Sequence, residues 1–217
     1  SEGTLGVTRS LTLQLAELPR ARVLGVVNFG SFHQAMDSAQ HIVKLGGDLV
    51  AMQRLVDEGL ELARSMQSVE PAARLDLDAL LSAIADDAAD AGQAVRYSGA
   101  TRGSIQASCK PNALRRAVEN LVDNAIKYGG GALLALSAEE GLACIRISDE
   151  GPGIPDERLA EVLRPFVRLE SSRSRESGGT GLGLAIASNL VSAQGGRLVL
   201  ENRPTGGLAA TIMLPLD

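Results

Sequence analysis

The sequence predicts an α+β chain: an N-terminal helical hairpin that forms a four-helix bundle as a dimer, then an α/β sandwich in which a mixed sheet carries one layer of three helices. Three observations carry this reading. Apolar residues in the first third recur at alternating three- and four-residue steps, the spacing of packed helices. Downstream of Pro71, strand-like and helical segments interleave. In the last third, two glycine-dense turns, Asp149-Glu150-Gly151-Pro152-Gly153-Ile154-Pro155 and Gly178-Gly179-Thr180-Gly181-Leu182-Gly183-Leu184-Ala185, bracket an arginine-rich segment.

Residues 1–10 are polar and glycine-containing and read as a lead-in. Helical patterning covers 11–45, with Phe29, Phe32, Met36, Ala39 and Val43 on one seam; Pro19 kinks this helix or marks a start after a break. Gly46-Gly47 ends it. A second helix follows on the repeat Leu49, Met52, Val56, Gly59, Ala63 and Met66, so residues 1–67 form the hairpin and pair with a second copy. Residues 68–73, with Pro71, are the linker to a domain over 74–217. There the sequence predicts a strand near 74–77 and a helix over 78–91, capped by Asp78 and stopped at Gly92. Strands at 95–98 and 105–108 precede a long helix over 111–128, which has proline in its first turn and Gly129-Gly130-Gly131 beyond its end. Strands at 132–137 and 142–148, a short helix at 155–163, a helix from Leu182, and strands at 197–201 and 209–214 complete the mixed sheet.

Composition narrows the function. The 217 residues are 45% hydrophobic but only 2% aromatic, with no Trp, so any core is built from Leu, Val, Ala and Ile. A net charge of −5 argues against nucleic acid as the main partner. Cys109 and Cys144 have neither metal-ligand spacing nor the density of a disulfide scaffold and read as reduced thiols. No run of 18 apolar residues is present. The chain opens on Ser1 without a charged-then-apolar leader, which reads as a fragment or a processed chain, and any membrane segment would lie upstream.

The chemistry concentrates on the long helix and the two glycine turns. Asn120, Asn124, Lys127 and Tyr128 share one helix face. Two amide oxygens in line suit a Mg²⁺ already balanced by phosphates; Lys127 adds a charge for a phosphate, and Tyr128 a ring beside a base. The alternative for this face is a polar stripe in water. Asp149, leaving a strand, either caps its own turn or accepts the exocyclic amine of a purine, with Gly151 and Gly153 letting the backbone approach closely. The second turn runs straight into an apolar helix, whose uncapped N–H groups and positive end suit phosphate. Between them, Arg164, Phe166, Arg168, Arg173 and Arg175 read as a flap, held down by Phe166 and drawn to phosphate oxygens through its arginines.

Four segments then carry a family resemblance. Asn120-Leu121-Val122-Asp123-Asn124-Ala125-Ile126-Lys127-Tyr128, Asp149-Glu150-Gly151-Pro152-Gly153-Ile154, Phe166-Val167-Arg168 and Gly179-Thr180-Gly181-Leu182-Gly183-Leu184 closely resemble, in order and spacing, the asparagine, first glycine, phenylalanine and second glycine boxes of bacterial sensor histidine kinases. These enzymes belong to the gyrase/Hsp90/kinase/MutL ATPase superfamily. Residues 48–64 also resemble the second helix of the family's dimerisation and phosphoacceptor hairpin. The resemblance implies ATP and Mg²⁺ as cofactors, with Asn124 on the metal and Asn120 near metal and phosphates. It places Lys127 on phosphate, Tyr128 on the adenine side and Asp149 on the adenine amine. Gly151 and Gly153 shape the pocket, and Thr180, Gly181, Leu182 and Gly183 line the phosphates. Hydrolytic members of the superfamily place a glutamate four residues before the metal asparagine; Asn120 stands there, and an amide cannot deprotonate water, which favours phosphoryl transfer. The implied partners are a second copy through the hairpin and a response-regulator receiver domain.

The acceptor half departs from the family pattern of a histidine, an acid next to it and a proline five residues on. The acceptor position falls near Gln14, with Pro19 in the proline's place, and glutamine offers no nucleophilic ring. The only histidines are His33 and His41. His33, beside Phe32 on the seam and one turn from Asp37, is the preferred phosphoacceptor. The other readings are a diverged hairpin, leaving an acceptor-less ATP-binding dimer that regulates a partner kinase, or an altered or incomplete first helix.

Overall fold

The structure is a computed structural model that describes residues 11–14, 24–27, 70–100, 103–167 and 181–216. The chain divides into two units, Ser1–Val56 and Asp57–Asp217. In the first, β1 (Leu11–Gln14) and β2 (Leu24–Val27) pair antiparallel, with Leu11 opposite Val27 and Gln14 opposite Leu24. This corrects the expected helix at 11–14 and 24–27. Leu11-Thr12-Leu13-Gln14 alternates apolar and polar residues with the period of a strand, and Pro19 between the two segments cannot sit inside a continuous helix. His33, His41 and the second helix of the expected hairpin lie outside the described residues.

The second unit begins with β3 (Ala73–Asp76) and α1 (Leu77–Asp90). Asp76, not Asp78, caps α1: its Oδ1 accepts from the Asp78 and Ala79 amides at 3.0 and 3.2 Å. Asp78 instead accepts from the Tyr97 hydroxyl at 2.6 Å and the Ala100 amide at 3.2 Å, tying α1 to the next strand. β4 (Val95–Ala100), β5 (Gln106–Cys109), α2 (Pro111–Gly129), β6 (Ala132–Glu139) and β7 (Leu142–Ser148) follow. The expected helix at 155–163 is reduced to a 3-10 turn at Asp156–Arg158. Bonds from Arg158 to Pro155, Glu161 to Arg158 and Arg164 to Glu161 continue it as successive tight turns rather than an α-helix. α3 (Gly183–Ser192), β8 (Arg197–Asn202) and β9 (Leu208–Pro215) close the fold.

The main sheet runs β4-β6-β7-β9-β8, parallel between β4 and β6 and antiparallel elsewhere, while β3 and β5 form a separate antiparallel pair. α1 lies against β4 and β6, α2 against β6 and β7, and α3 against β8, the expected layer of three helices among the described residues. The core sits between the layers. Leu136, Ile145, Ile212 and Leu198 stand abreast across four strands, all buried, with Leu134, Ile147, Ala210 and Leu200 as the next row. Facing them, α2 buries Leu114, Ala117, Val118, Leu121, Val122 and Ala125 at helical spacing. Burying each Leu, Ile or Val contributes on the order of 1.5–3 kcal/mol, so the helix that carries the two asparagines is firmly seated.

Candidate functional site

The site is assembled around the C-terminal half of α2. Its apolar face is fixed on the sheet, which turns Asn120 and Asn124 to the boundary of the layer, where both are half-buried. The Asn120 amide nitrogen donates to the Arg116 carbonyl at 2.9 Å, leaving its Oδ1 outward. That oxygen faces the start of α3: a Cβ placed on Gly183 would lie 3.3 Å from it. The asparagine helix and the second glycine turn, over 60 residues apart in sequence, therefore meet. The cap position of α3, Leu182, makes no side-chain cap bond of its own, and the electropositive start of the helix lies at the same place. Lys127 and Tyr128 are exposed, and the Lys127 ammonium lies 5.2 Å from the centre of the Tyr128 ring. These two expected contacts, one for phosphate and one for base, thus pair with each other.

Asp149 leaves the end of β7, which is the middle strand of five rather than an edge, and is 8% exposed. Its Oδ1 accepts from the Gly151 amide at 2.8 Å and the Leu208 amide at 3.1 Å. The residue therefore does cap its own turn. Both of these bonds fall on one oxygen, so the turn is set by Oδ1. Close approach explains the glycines. A Cβ on Gly129 would stand 2.5 Å from the Asp149 Cβ, and one on Gly151 2.7 Å from the Tyr128 carbonyl oxygen, so the end of α2 and the Asp149 turn pack backbone to backbone. Gly153 has φ +72°.

The described residues on either side of the expected flap are joined where the Phe166 amide donates to the Gly181 carbonyl at 3.0 Å. Phe166 is 61% exposed and has φ +65°, a strained conformation for an aromatic residue, so it does not pack the flap down. Val162 is buried instead, with Leu159, Leu163 and Val167 packed against the core. Leu182 is fully buried, and its side chain packs into the core at the start of α3. Arg168, Arg173, Arg175 and Thr180 lie outside the described residues.

Three contributors were not legible in the sequence. Glu70, in the expected linker, accepts from the Asn112 and Ala113 amides at 2.9 and 3.1 Å and from the Asn112 side chain at 2.8 Å. It caps α2, whose own cap position, Lys110, makes no side-chain cap bond. Asn202 and Arg203, at the tip of the β8–β9 hairpin, bond to the Asp149 turn. The only signal in sequence is a carboxylate before the helix start and two hydrogen-bonding residues before Pro204-Thr205-Gly206-Gly207. Burial pushes the Cys109 and Cys144 thiols up, away from reactive thiolate, and both are free. Burial also raises Tyr97, whose hydroxyl bonds Asp78.

Residues 109–217 match the family described as histidine kinase-, DNA gyrase B- and HSP90-like ATPases. The sensor histidine kinase GtrS of Pseudomonas aeruginosa is 36% identical over 172 residues, which covers 79% of this chain and 35% of that protein. The signal transduction histidine-protein kinase BaeS of Escherichia coli is 33% identical over 190 residues, covering 81% of this chain and 39% of that protein. The chain thus spans little more than a third of the length of these relatives. Among solved structures, the histidine kinase domain of the E. coli osmosensor EnvZ aligns with a TM-score of 0.54 at 33% identity, over 69% of this chain and 92% of that one. With the family match over half its length and the EnvZ kinase domain 33% identical over 92% of that domain, the chain belongs to the histidine kinase-, DNA gyrase B- and HSP90-like ATPases, in their sensor histidine kinase branch.

Proposed function

We propose that this chain is the kinase core of a two-component sensor: it binds ATP with Mg²⁺, passes the γ-phosphoryl group to a histidine and from there supplies a response-regulator aspartate. The observation that carries the reading is the meeting of three groups toward one end of α2: the Asn120 amide oxygen, with Asn124 one turn on along the same helix face, the start of α3, and the Asp149 carboxylate under Gly129. The first two suit phosphates and the last an adenine amine. Among the described residues no three acidic, histidine or cysteine side chains gather to hold a metal. The donor set therefore fits Mg²⁺ as an ion shared with the phosphates, held by Asn124 with Asn120 beside it, where it would neutralise charge on the transferring group.

In the transfer step a neutral imidazole nitrogen attacks the γ-phosphorus in line. An N–P bond forms, the bond to the β-γ bridging oxygen breaks, and ADP leaves with the electron pair. Asn120 supplies no general base, so water at the same place is not activated. His33 is the proposed acceptor, in the same or the partner subunit of a dimer formed through the N-terminal segment. The setting is the cytosolic part of an inner-membrane sensor; no described helix is long and apolar enough to cross a membrane. A second reading, an acceptor-less ATP-binding dimer that regulates a partner kinase, is favoured by Gln14 at the expected acceptor position and by the strand that contains it.

Incubation with γ-labelled ATP and Mg²⁺ separates these readings. Acid-labile, alkali-stable label that disappears in His33→Ala supports the kinase with its proposed acceptor. Label that persists in His33→Ala and vanishes in His41→Ala moves the acceptor, and ATP binding without any label favours the scaffold. Asn124→Ala is expected to abolish the Mg²⁺-dependent part of ATP binding; unchanged affinity would remove the metal assignment.

A further inference from the structure

The tip of the β8–β9 hairpin reaches out of its own strands to hold both ends of the Asp149 turn. Asn202 pairs with Ile154 in both directions: its Oδ1 accepts from the Ile154 amide at 2.9 Å, and its Nδ2 donates to the Ile154 carbonyl at 2.6 Å and to Asp156 Oδ1 at 2.7 Å. At the other end, the Arg203 guanidinium donates to the Asp149 carbonyl oxygen. Between these two side chains the backbone makes a third contact. The Asp149 amide donates to the Leu208 carbonyl at 3.0 Å while the Leu208 amide donates back to Asp149 Oδ1 at 3.1 Å.

None of the Asn202 and Arg203 side-chain bonds is needed to close the hairpin. β8 and β9 are paired up to Asn202 opposite Leu208, and the tip is closed by backbone bonds from the Arg203 amide to Gly207 at 2.9 Å and from the Gly206 amide to Arg203 at 3.0 Å. The side chains spend their hydrogen bonds on a different segment, the one whose first residue carries the buried carboxylate. With Oδ1 of Asp149 fixed by two amides, the direction of its other oxygen follows the position of the 149–154 backbone. Asn202 and Arg203 set that position from opposite ends.

We propose that Asn202 and Arg203 are positioning residues of the nucleotide site, which hold the Asp149 turn in the shape that reads adenine; the proposal rests on the ATP-binding reading above. Neither touches the nucleotide. Each acts by keeping a base-reading carboxylate where an exocyclic amine is accepted and a guanine carbonyl oxygen, which offers no proton, is repelled. The loss expected from releasing one end is therefore a loss of base discrimination as well as of affinity.

The test measures ATP and GTP dissociation constants with Mg²⁺, and thermal midpoints, for the full chain and for Asn202→Ala, Arg203→Ala and Arg203→Lys. Arg203→Ala and Asn202→Ala are each expected to weaken ATP about tenfold, the scale of one charge-assisted or two neutral hydrogen bonds, and to reduce the ATP-over-GTP preference by a similar factor. Arg203→Lys, which still donates, is expected to recover much of both. Asn202→Asp serves where an alanine variant does not fold: it keeps the acceptor, loses the donors and faces Asp156, and should also lose discrimination. Variants that bind ATP as the unaltered chain does would overturn the proposal and leave the ATP reading intact. Equal losses for ATP and GTP would reduce the two residues to a structural role and overturn it as well. An unaltered chain that fails to bind ATP removes the underlying reading and this inference with it.

Discussion

Replacing Gly129 by alanine sets two effects of known sign against each other. Gly129 is the last residue of α2 and lies outside the left-handed region, so alanine is favoured there by helix propensity, by at most about 1 kcal/mol and less at a helix end. Against this, the added methyl would stand 2.5 Å from the Asp149 Cβ, 2.9 Å from the Glu150 amide nitrogen and 3.0 Å from the Asp149 Cγ. Two of these three atoms are close to or part of the backbone of a turn held by Leu208, Arg203 and Gly151, so no flexible tip can swing aside. Overpacking of this kind costs roughly 1–3 kcal/mol. The clash wins, with a net destabilisation of about 1–2 kcal/mol, and the relaxation that relieves it pushes the carboxylate away from α2. The neighbouring Gly130→Ala is the control. Gly130 has φ +74° and open space around its Cα, so alanine there strains the C-cap by about 1 kcal/mol but meets nothing in the site. Thermal unfolding and ATP titration calorimetry together read the difference. Both variants should melt a few degrees lower, and only Gly129→Ala should lose ATP affinity, by tenfold or more. A Gly129→Ala protein that melts higher and binds ATP normally would refute the packing argument.

Three further outcomes follow from the same contacts. Glu70→Ala removes the carboxylate that caps α2 and should cost about 1 kcal/mol, seen as a lower urea midpoint; Glu70→Gln, which keeps an acceptor without the charge, should lose less, and an unchanged midpoint in both would dismiss the cap. The Asp76 carboxyl is held below its ordinary value, first by the Ser104 hydroxyl at 2.8 Å and then by the Ala79 amide. A depressed folded value means that this stability is present above the unfolded pKa and is lost as pH falls through the folded one. Asp76→Asn, still a good helix cap, should therefore flatten the acid limb of the stability profile below about pH 4, as measured by thermal midpoints. Asp123 is exposed, but the groove wall beside Asp87 and Glu119 removes enough water to raise its carboxyl, so its ionised form is mildly disfavoured in the fold. The benefit of the neutral form is present at low pH and lost as pH rises through the raised value, so Asp123→Asn should melt slightly higher than the unaltered chain at pH 7 and converge with it in acid; a lower melting point at pH 7 would contradict this desolvation.

How much of this was legible in the sequence depends on the range over which the determining contact acts. α1 and α2 start and stop within about two residues of their expected bounds, because their periodic apolar faces, Pro111 and the glycines at 92 and 130 are local signals. β7 falls on its expected residues for the same reason. The four boxes were also legible, since each is a short string whose chemistry is written in consecutive side chains. What escaped is what the fold brings together from afar. Glu70 caps Asn112 and Ala113 across 42 and 43 residues, and Asn202 and Arg203 reach Ile154 and Asp149 across 48 and 54. Such contacts leave no period and no neighbouring cue. The strands at 11–14 and 24–27 are a different kind of miss: the alternation of Leu11-Thr12-Leu13-Gln14 is local and readable, but it was outweighed by the helical spacing downstream. Phe166 misled in a third way. An aromatic residue in a flap suggests a buried anchor, yet its backbone bond to Gly181 holds φ positive and turns the ring to solvent.

These differences bear on how the donor side of the site is built. The asparagines owe their placement to α2, which is seated by a large apolar face and capped by Glu70, so they form the rigid wall. The Asp149 side, proposed to read the base, has no such face. Asp149 sits at the end of a central strand, but the turn that follows it carries mostly half-buried and exposed residues and is held by hydrogen bonds from one hairpin tip. Hydrogen bonds of this kind contribute about 1 kcal/mol each, against several for the buried side chains of α2. Substitutions should therefore divide by mechanism: those under α2 should unfold the domain before they alter its selectivity, whereas those at the hairpin tip should alter selectivity while the domain stays folded. The Asp149 wall is the weaker of the two, and on the proposed reading it is the one on which discrimination between nucleotides would depend.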